Sequence, residues 1–277
     1  MKNKNILIIG GSTGIGFNIA KYCYESGSNL LISSGSNKIF SVCKKIKLTK
    51  EHKYKNTIDY LKINFKKKID FKFFKTKIRN NFNNKINCVI LNSAILGSSS
   101  LIGDLDTDKT RELFEINFFS HLSICNFLLK NKLLQKNSRI IFISGGVPND
   151  DSYFIPYSSS KFSLYSLAIN LASQLLKDKI FVNSILPGGI HTNINIDKIN
   201  RGPKLIGKLN HKLALQRMKE NNDLKYNNIN RLITFLISAN SNNITGRLFS
   251  AQHDDWEKNI NTLKKQSSNL FKINRIH

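Results

Sequence analysis

Ile6-Leu7-Ile8-Ile9-Gly10-Gly11-Ser12-Thr13-Gly14-Ile15-Gly16 decides the fold. An unbroken apolar run suits a strand buried on both faces, because such a strand has no solvent side for polar residues. The glycines form a turn, and apolar residues at Ile19, Ala20 and Cys23 then mark a helix ending near Ser26-Gly27. Strand, glycine turn and helix in that order build an anion site. The missing side chains let backbone approach a pyrophosphate, and the helix start offers unpaired N–H groups at the positive end of its dipole. The spacing here is G-x-x-x-G-x-G, and this context reads it as a phosphate-binding turn rather than a structural one.

Moving outward, Leu30-Leu31-Ile32-Ser33 is a second strand, with Ser34, Ser36 and Lys38 following. An acid at that strand end would bind a ribose 2′-OH and repel a 2′-phosphate. Ser34 stands there instead, which favours NADP(H) over NAD(H). Ile39, Val42, Cys43 and Ile46 fit a helix stripe, and Leu61, Ile63 and Phe65 alternate as a third strand ending at Asn64-Phe65. Phe71, Phe74, Ile78 and Phe82 form an amphipathic helix. The strand Cys88-Val89-Ile90-Leu91 closes on Asn92-Ser93-Ala94, whose small residues let a flat ring lie against the backbone.

A long helix is expected from about 108 to 130, with Asn117 inside its apolar stretch. A buried Asn must find partners or cost about 1–3 kcal/mol. A helix kink and a water relay both remain open for it. Arg139-Ile140-Ile141-Phe142-Ile143-Ser144 is the fifth strand, followed by Gly145-Gly146. Tyr157 opens a helix through Leu164, Leu167, Ala168, Leu171 and Leu175. Residues 181–186 make a sixth strand, from which Pro187-Gly188-Gly189-Ile190-His191-Thr192 turns away. The stretch 193–228 is polar and irregular, with weak helical pieces such as 205–218, and lies beyond a strand end, where a substrate lid belongs. A helix over 229–238, a turn and last strand over 244–250, and a tail over 252–277 carrying Trp256 complete the chain.

Tyr157-Ser158-Ser159-Ser160-Lys161 carries the chemistry. Residues four apart share a helix face, and a cation beside a phenol lowers the phenol's pKa from about 10 toward working pH. Such a Tyr becomes a proton donor and acceptor. Ser144 ends its strand thirteen residues before Tyr157, so both can converge on one carbonyl oxygen.

The bulk composition excludes several classes. The chain has 277 residues, 40% of them apolar, and a formal net charge of +25. Lysine is spread through every segment without a run of five or six, so the charge is a solvated surface and no specific nucleic-acid partner is expected. Cys23, Cys43, Cys88 and Cys125 lie far apart without C-x-x-C, which points to buried free thiols in a reducing, cytoplasmic compartment. The six histidines show no metal-like spacing, so no metal is expected. Nothing approaches the ~18 apolar residues of a membrane span. With no repeat and no second core, residues 1–277 form one domain.

Together these stretches resemble the short-chain dehydrogenase/reductase family in its short "classical" form, from residue 5 to about 250. Gly10, Gly14 and Gly16 match the T-G-x-x-x-G-x-G cofactor turn, with Ile9 in place of Thr. Asn92-Ser93-Ala94 is similar to N-N-A-G without its last glycine. Asn117 matches a helix asparagine that anchors a water reaching the catalytic lysine, Tyr157 and Lys161 match Y-x-x-x-K, and Pro187, Gly188 and Thr192 match P-G-x-x-x-T. The resemblance implies a catalytic set of Asn117, Ser144, Tyr157 and Lys161. It implies cofactor contacts from Ser12, Thr13 and Ile15 beside the three glycines, from Ser34 and Asn64, from Asn92, Ser93 and Ala94, from Tyr157 and Lys161, and from Pro187, Gly188, Ile190 and Thr192. The family's strand usually ends I-S-S. By strand register its second serine falls on Gly145, and by distance to Tyr157 on Ser144, which is the residue assigned. The ending 244–257 resembles an uncharacterised branch that accompanies surface-polysaccharide synthesis.

The expected fold is α/β, a doubly wound parallel sheet (Rossmann fold) of strand order 3-2-1-4-5-6-7. The implied function is NAD(P)-dependent hydride transfer to or from a carbonyl or alcohol carbon of a small polar, sugar-like substrate. The alternative is an inactive sensor of NADP(H) or a metabolite. The resemblance also implies a homodimer or homotetramer joined through the two long helices.

Overall fold

The computed structural model describes residues 1–48, 54–145 and 152–273, so Gly146 lies outside the described residues. β1 (Asn5–Ile9) runs into α1 (Gly14–Glu25), β2 (Asn29–Ser34) into α2 (Ile39–Leu48), and β3 (Ile58–Lys62) into α3 (Phe71–Phe82). β4 (Ile86–Leu91) is followed by α4 (Thr107–Phe114), a π-helical turn at Glu115–Phe119 and α5 (Ser120–Lys130). β5 (Leu134–Ile143) precedes α6 (Ile155–Leu175). β6 (Phe181–Leu186) leads through α7 (Asn193–Ile206), α8 (Lys208–Lys219) and α9 (Asp223–Ile237) to β7 (Leu248–Ser250) and α10 (Ile260–Lys264).

The seven strands form one parallel sheet in the order β3-β2-β1-β4-β5-β6-β7. The order reverses direction between β1 and β4, and such a switch point opens a crevice at the carboxyl ends of the strands. Register aligns the crevice residues. Ile9 pairs with both Ser33 and Leu91, so Gly10, Ser34 and Asn92 leave the sheet side by side.

The apolar run of β1 is explained by the two cores. Ile6 and Ile8 pack into one, with α1, α2 and α9, while Leu7 and Ile9 pack into the other, with α3, α5 and α6. A strand covered by helices on both faces has no position for a polar residue. All four cysteines are buried free thiols.

Three local expectations need correction. β3 ends at Lys62, not at Phe65, because Asn64 starts a turn: its side chain accepts from Lys66 N–H at 3.0 Å. The long helix over 108–130 is not uniform α-helix; Glu115–Phe119 is π-helical and contains Asn117. The stretch 193–228 is more helical than the weak pieces such as 205–218 expected from the sequence: α7, a kink at Gly202 (φ +72°), α8 and the first turns of α9 fill nearly all of it. Asparagine and lysine dilute the apolar spacing there, which hides the helical period.

The tail is integral to the sheet edge. Leu248 N–H donates to the Phe271 carbonyl at 2.8 Å, so the tail covers the open side of β7, which would otherwise present unpaired backbone. Fully buried Arg247 donates to the carbonyls of Leu263, Lys265, Ser268 and Leu270, and the Tyr165 hydroxyl accepts from Ile273 N–H at 2.9 Å.

Candidate active site

The carboxyl ends of all seven strands converge on a cleft of about 680 Å³. Its walls include Gly10, Ser12, Thr13, Gly14 and Ile15 after β1, Ser34 after β2, Asn64 after β3, and Asn92, Ser93 and Ala94 after β4. Ser144, Tyr157, Lys161, Pro187, Gly188, Ile190 and Thr192 complete it. Of the residues singled out in the sequence, Gly16 and Asn117 stand behind the wall. A Cβ on Gly16 would lie 2.0 Å from the Gly10 carbonyl oxygen. Its bareness lets the Asn92 side-chain amide donate to that same carbonyl at 2.7 Å. Gly10 has φ +86°, a conformation costly for any residue with a Cβ.

Two helices start on the cleft without side-chain caps. Thr13 before α1 and Thr192 before α7 make no cap hydrogen bond, and neither helix has an acid in its first turn. A Cβ on Gly14 would touch Thr192 at 3.4 Å, so the two N-termini adjoin. Their free N–H groups and aligned dipoles form a cradle for a diphosphate. The residues present therefore fit a dinucleotide. At its far end the Ser12 hydroxyl donates to Ser34 Oγ at 2.7 Å, and Ser36 N–H donates to the same oxygen at 3.1 Å. Among the described residues lining the cleft there, no acid stands to repel a further phosphate.

The reactive end is built on α6. Half-buried Tyr157 packs with Leu96, Phe154, Ile206 and Ile194, and burial pushes its phenol up to about 12. Lys161 is buried one turn on; its amine donates to the Ile143 carbonyl at 2.8 Å, and burial pushes it down to about 8. Desolvation dominates at both groups, and the Lys161 amine is directed to the end of β5.

Ser144 is likewise turned inward. Its hydroxyl donates to the Lys161 carbonyl at 2.7 Å, so it braces α6, while the residue also lines the cleft beside Tyr157. Gly145 packs on the Lys161 stem, where a Cβ would come within 3.0 Å. Ser158, which sequence reasoning passed over, lines the cleft with a hydroxyl lacking any partner among the described residues.

Asn117 is fully buried and fully engaged. It accepts from Ile95 N–H at 2.8 Å, donates to the Ile95 carbonyl at 2.9 Å and donates to Ser160 Oγ at 3.1 Å. Ser160 in turn donates to the Tyr157 carbonyl at 2.7 Å. The π-helical turn carries this asparagine where it ties the loop after β4 to the helix of Tyr157.

His121, one turn further, also escaped notice, because nothing in its spacing separates it from a packed core histidine. Its Nε2 lies 2.9 Å from Ser93 Oγ, and burial, helped by the Lys161 charge, pushes it down to about 3. It is therefore neutral. Lys198, Arg217 and His253 also line the cleft. They come from segments without a motif.

Chemically, the site offers one phenol at the cleft wall, a buried amine behind it and an anion cradle beside both. Residues 4–201 match the family model described as short chain dehydrogenase. The chain is 29% identical over 212 residues to the L-rhamnose 1-dehydrogenase (NADP(+)) of Thermoplasma acidophilum, covering 73% of this chain and 79% of that one. It is 24% identical over 210 residues to the 3-oxoacyl-[acyl-carrier-protein] reductase of Bos taurus, covering 70% of this chain and 79% of that one. Among solved structures it resembles levodione reductase, with TM-score 0.75 and 17% identity over 90% of this chain and 96% of that one. It also resembles a short chain dehydrogenase from Shigella flexneri complexed with NADP, with TM-score 0.72 and 20% identity over 91% of this chain and 98% of that one.

Proposed function

This chain belongs to the short-chain dehydrogenase family and is an NAD(P)-dependent oxidoreductase, and on that premise we propose that it uses NADP(H) to oxidise or reduce a small sugar-derived substrate. The observation that carries the proposal is the meeting of Tyr157 and Lys161 with two uncapped helix N-termini in one cleft. A bound nicotinamide would give the hydride to a carbonyl carbon in reduction and take it from an alcohol carbon in oxidation. Tyr157 gives or takes the proton of the substrate oxygen, and Lys161 sets the charge behind it. Asn117 holds the Tyr157 helix to the loop after β4, and Ser144 holds the end of β5 to Lys161. The cofactor lies along the glycine turn, Ser34, Asn64 and 92–94, with Pro187, Gly188, Ile190 and Thr192 beside its reactive end.

The preference for NADP(H) rests on the acid-free serine cluster at Ser12, Ser34 and Ser36. The sugar reading rests on the polar stretches 98–107 and 193–228 and on the likeness to the L-rhamnose 1-dehydrogenase of Thermoplasma acidophilum. The segment 193–228 acts as the substrate lid. Exposed Phe119, Phe162 and Ile169 on the long helices support assembly as a homodimer or homotetramer, and the buried free thiols suit the cytoplasm. No helix among the described residues is long and apolar enough to cross a membrane. An inactive sensor is not favoured, since it needs no phenol backed by a buried amine.

Fluorescence titration with NADPH and NADH, followed by an oxidation screen of aldoses and polyols, tests the reading. Tighter binding of NADPH and turnover of a hydroxylated sugar are expected. Binding of neither cofactor, or turnover confined to apolar alcohols, contradicts it.

A further inference from the structure

Lys204-Leu205, Lys208-Leu209 and Lys212-Leu213 repeat a lysine–leucine pair every four residues. Four residues is close to one helical turn. On α8, Lys208 and Lys212 therefore form one row and Leu209 and Leu213 the adjacent row. α8 meets the protein on its other side, through buried Ala214. Leu205 is 58% exposed, Leu209 68% and Leu213 36%, while exposed Leu215 and Met218 lie on other sides of α8. Single exposed leucines need no explanation, but a cluster on one surface does.

The charge on this surface has one sign. Between residues 198 and 219 the sequence holds seven lysines and arginines and no acid. Asp197 and Glu220, at the borders, are committed to Arg201 and Lys225. The segment is thus apolar and cationic at once, and the occupant must satisfy both properties. A second copy of this chain would set like-charged rows face to face. A nucleic acid would take the lysines and leave the leucines in water. An anionic bilayer takes both, with leucines at the headgroup–acyl boundary and lysines among the headgroups. The net charge of +25, spread over every segment, suits an extended anionic plane better than one small acidic partner.

We propose that α8 and the end of α7 dock this protein on a bilayer surface rich in anionic lipid. Leu205, Leu209 and Leu213 enter at headgroup level, and Lys204, Lys208 and Lys212 pair with lipid anions. Arg217 of α8 lines the cleft, so docking holds the cleft rim at the lipid surface. The inference rests on the exposed face of these helices and not on the identity of the substrate.

Sedimentation of the full chain with phosphatidylcholine vesicles, with and without phosphatidylglycerol, tests it. Binding is expected only with phosphatidylglycerol, weakening as salt rises. The double variant Leu209→Ser/Leu213→Ser should lower the partition coefficient by about tenfold or more, and Lys208→Gln/Lys212→Gln by about fivefold or more. Lys44→Gln/Lys72→Gln, on exposed lysines of α2 and α3, removes the same charge elsewhere and should leave it within about twofold. Circular dichroism and NADPH titration check that each variant is folded. No binding to either vesicle, unchanged binding of the leucine variant, or equal loss in the control variant overturns the proposal. So does binding to soluble polyglutamate that matches vesicle binding, which would indicate an acidic protein partner.

Discussion

The Ser144 hydroxyl donates to the Lys161 carbonyl at 2.7 Å, while the Lys161 amine reaches back to the Ile143 carbonyl at 2.8 Å. The end of β5 and the second turn of α6 are cross-tied by two bonds of opposite direction. Ser144 is therefore a positioning residue in this structure, and its loss should be felt first as stability. Ser144→Ala should cost about 1 kcal/mol in chemical denaturation, as a buried neutral hydrogen bond does. It should lower kcat less than about tenfold, whereas an oxygen-polarising donor would be worth about a hundredfold or more. Kinetics of the purified variant separate the two.

Gly16 tests the cofactor turn. A Cβ there would meet backbone at 2.0 Å, while one on Gly103 would meet nothing within 4 Å. Gly16→Ala should lower stability by about 1–3 kcal/mol through overpacking and weaken NADPH binding by at least about tenfold. Gly103→Ala, the control, should stay within about 0.5 kcal/mol of the parent. Thermal melts and NADPH titration of both variants read the contrast.

Lys161 should leave a mark on stability against pH. Its folded pKa is pushed down to about 8 from 10.5 by burial, so the unfolded chain binds more protons between those values and stability rises with pH across them. The cost of burying the charge is fully present below pH 8. Tyr157, raised to about 12 from 10.0, acts in the opposite sense. The unfolded phenol ionises first, so its contribution falls above pH 10. Lys161→Met should flatten the rise between about pH 8 and 10 in denaturant titrations of the cofactor-free protein. An identical slope in the variant would place the amine in a better-solvated state.

Arg247 should hold the tail. Replacing it with Gln leaves several buried carbonyls of 263–270 without their donor, at a cost of about 3 kcal/mol. Limited proteolysis should then cut the tail ahead of the core, and the uncovered edge of β7 should promote association.

The sheet was legible because the runs 6–9, 30–32 and 88–91 of β1, β2 and β4 are apolar on both faces, and a run such as Ile6-Leu7-Ile8-Ile9 admits few other readings. The cofactor turn was legible because Gly10 and Gly16 answer to steric limits that no other residue meets. The helices of 193–219 were only partly legible, as the piece over 205–218, since the segment has few buried apolar positions and its helices are held by packing on one another. The direction of the Ser144 hydroxyl and of the Lys161 amine depends on carbonyls that the fold brings together, Ile143 and Lys161. No spacing rule foretells which partner a buried polar group takes. The same holds for His121, whose tie to Ser93 crosses 28 residues of chain.

The central claim is that the Tyr157 hydroxyl carries the proton of the reacting oxygen. Tyr157→Phe removes that oxygen alone and keeps the ring packed against Leu96 and Phe154. Steady-state turnover and NADPH titration of this one variant test the claim most directly. The account predicts a fall in kcat of about a thousandfold with an NADPH Kd within about threefold of the parent. Turnover close to the parent's, with NADPH still bound, would contradict it.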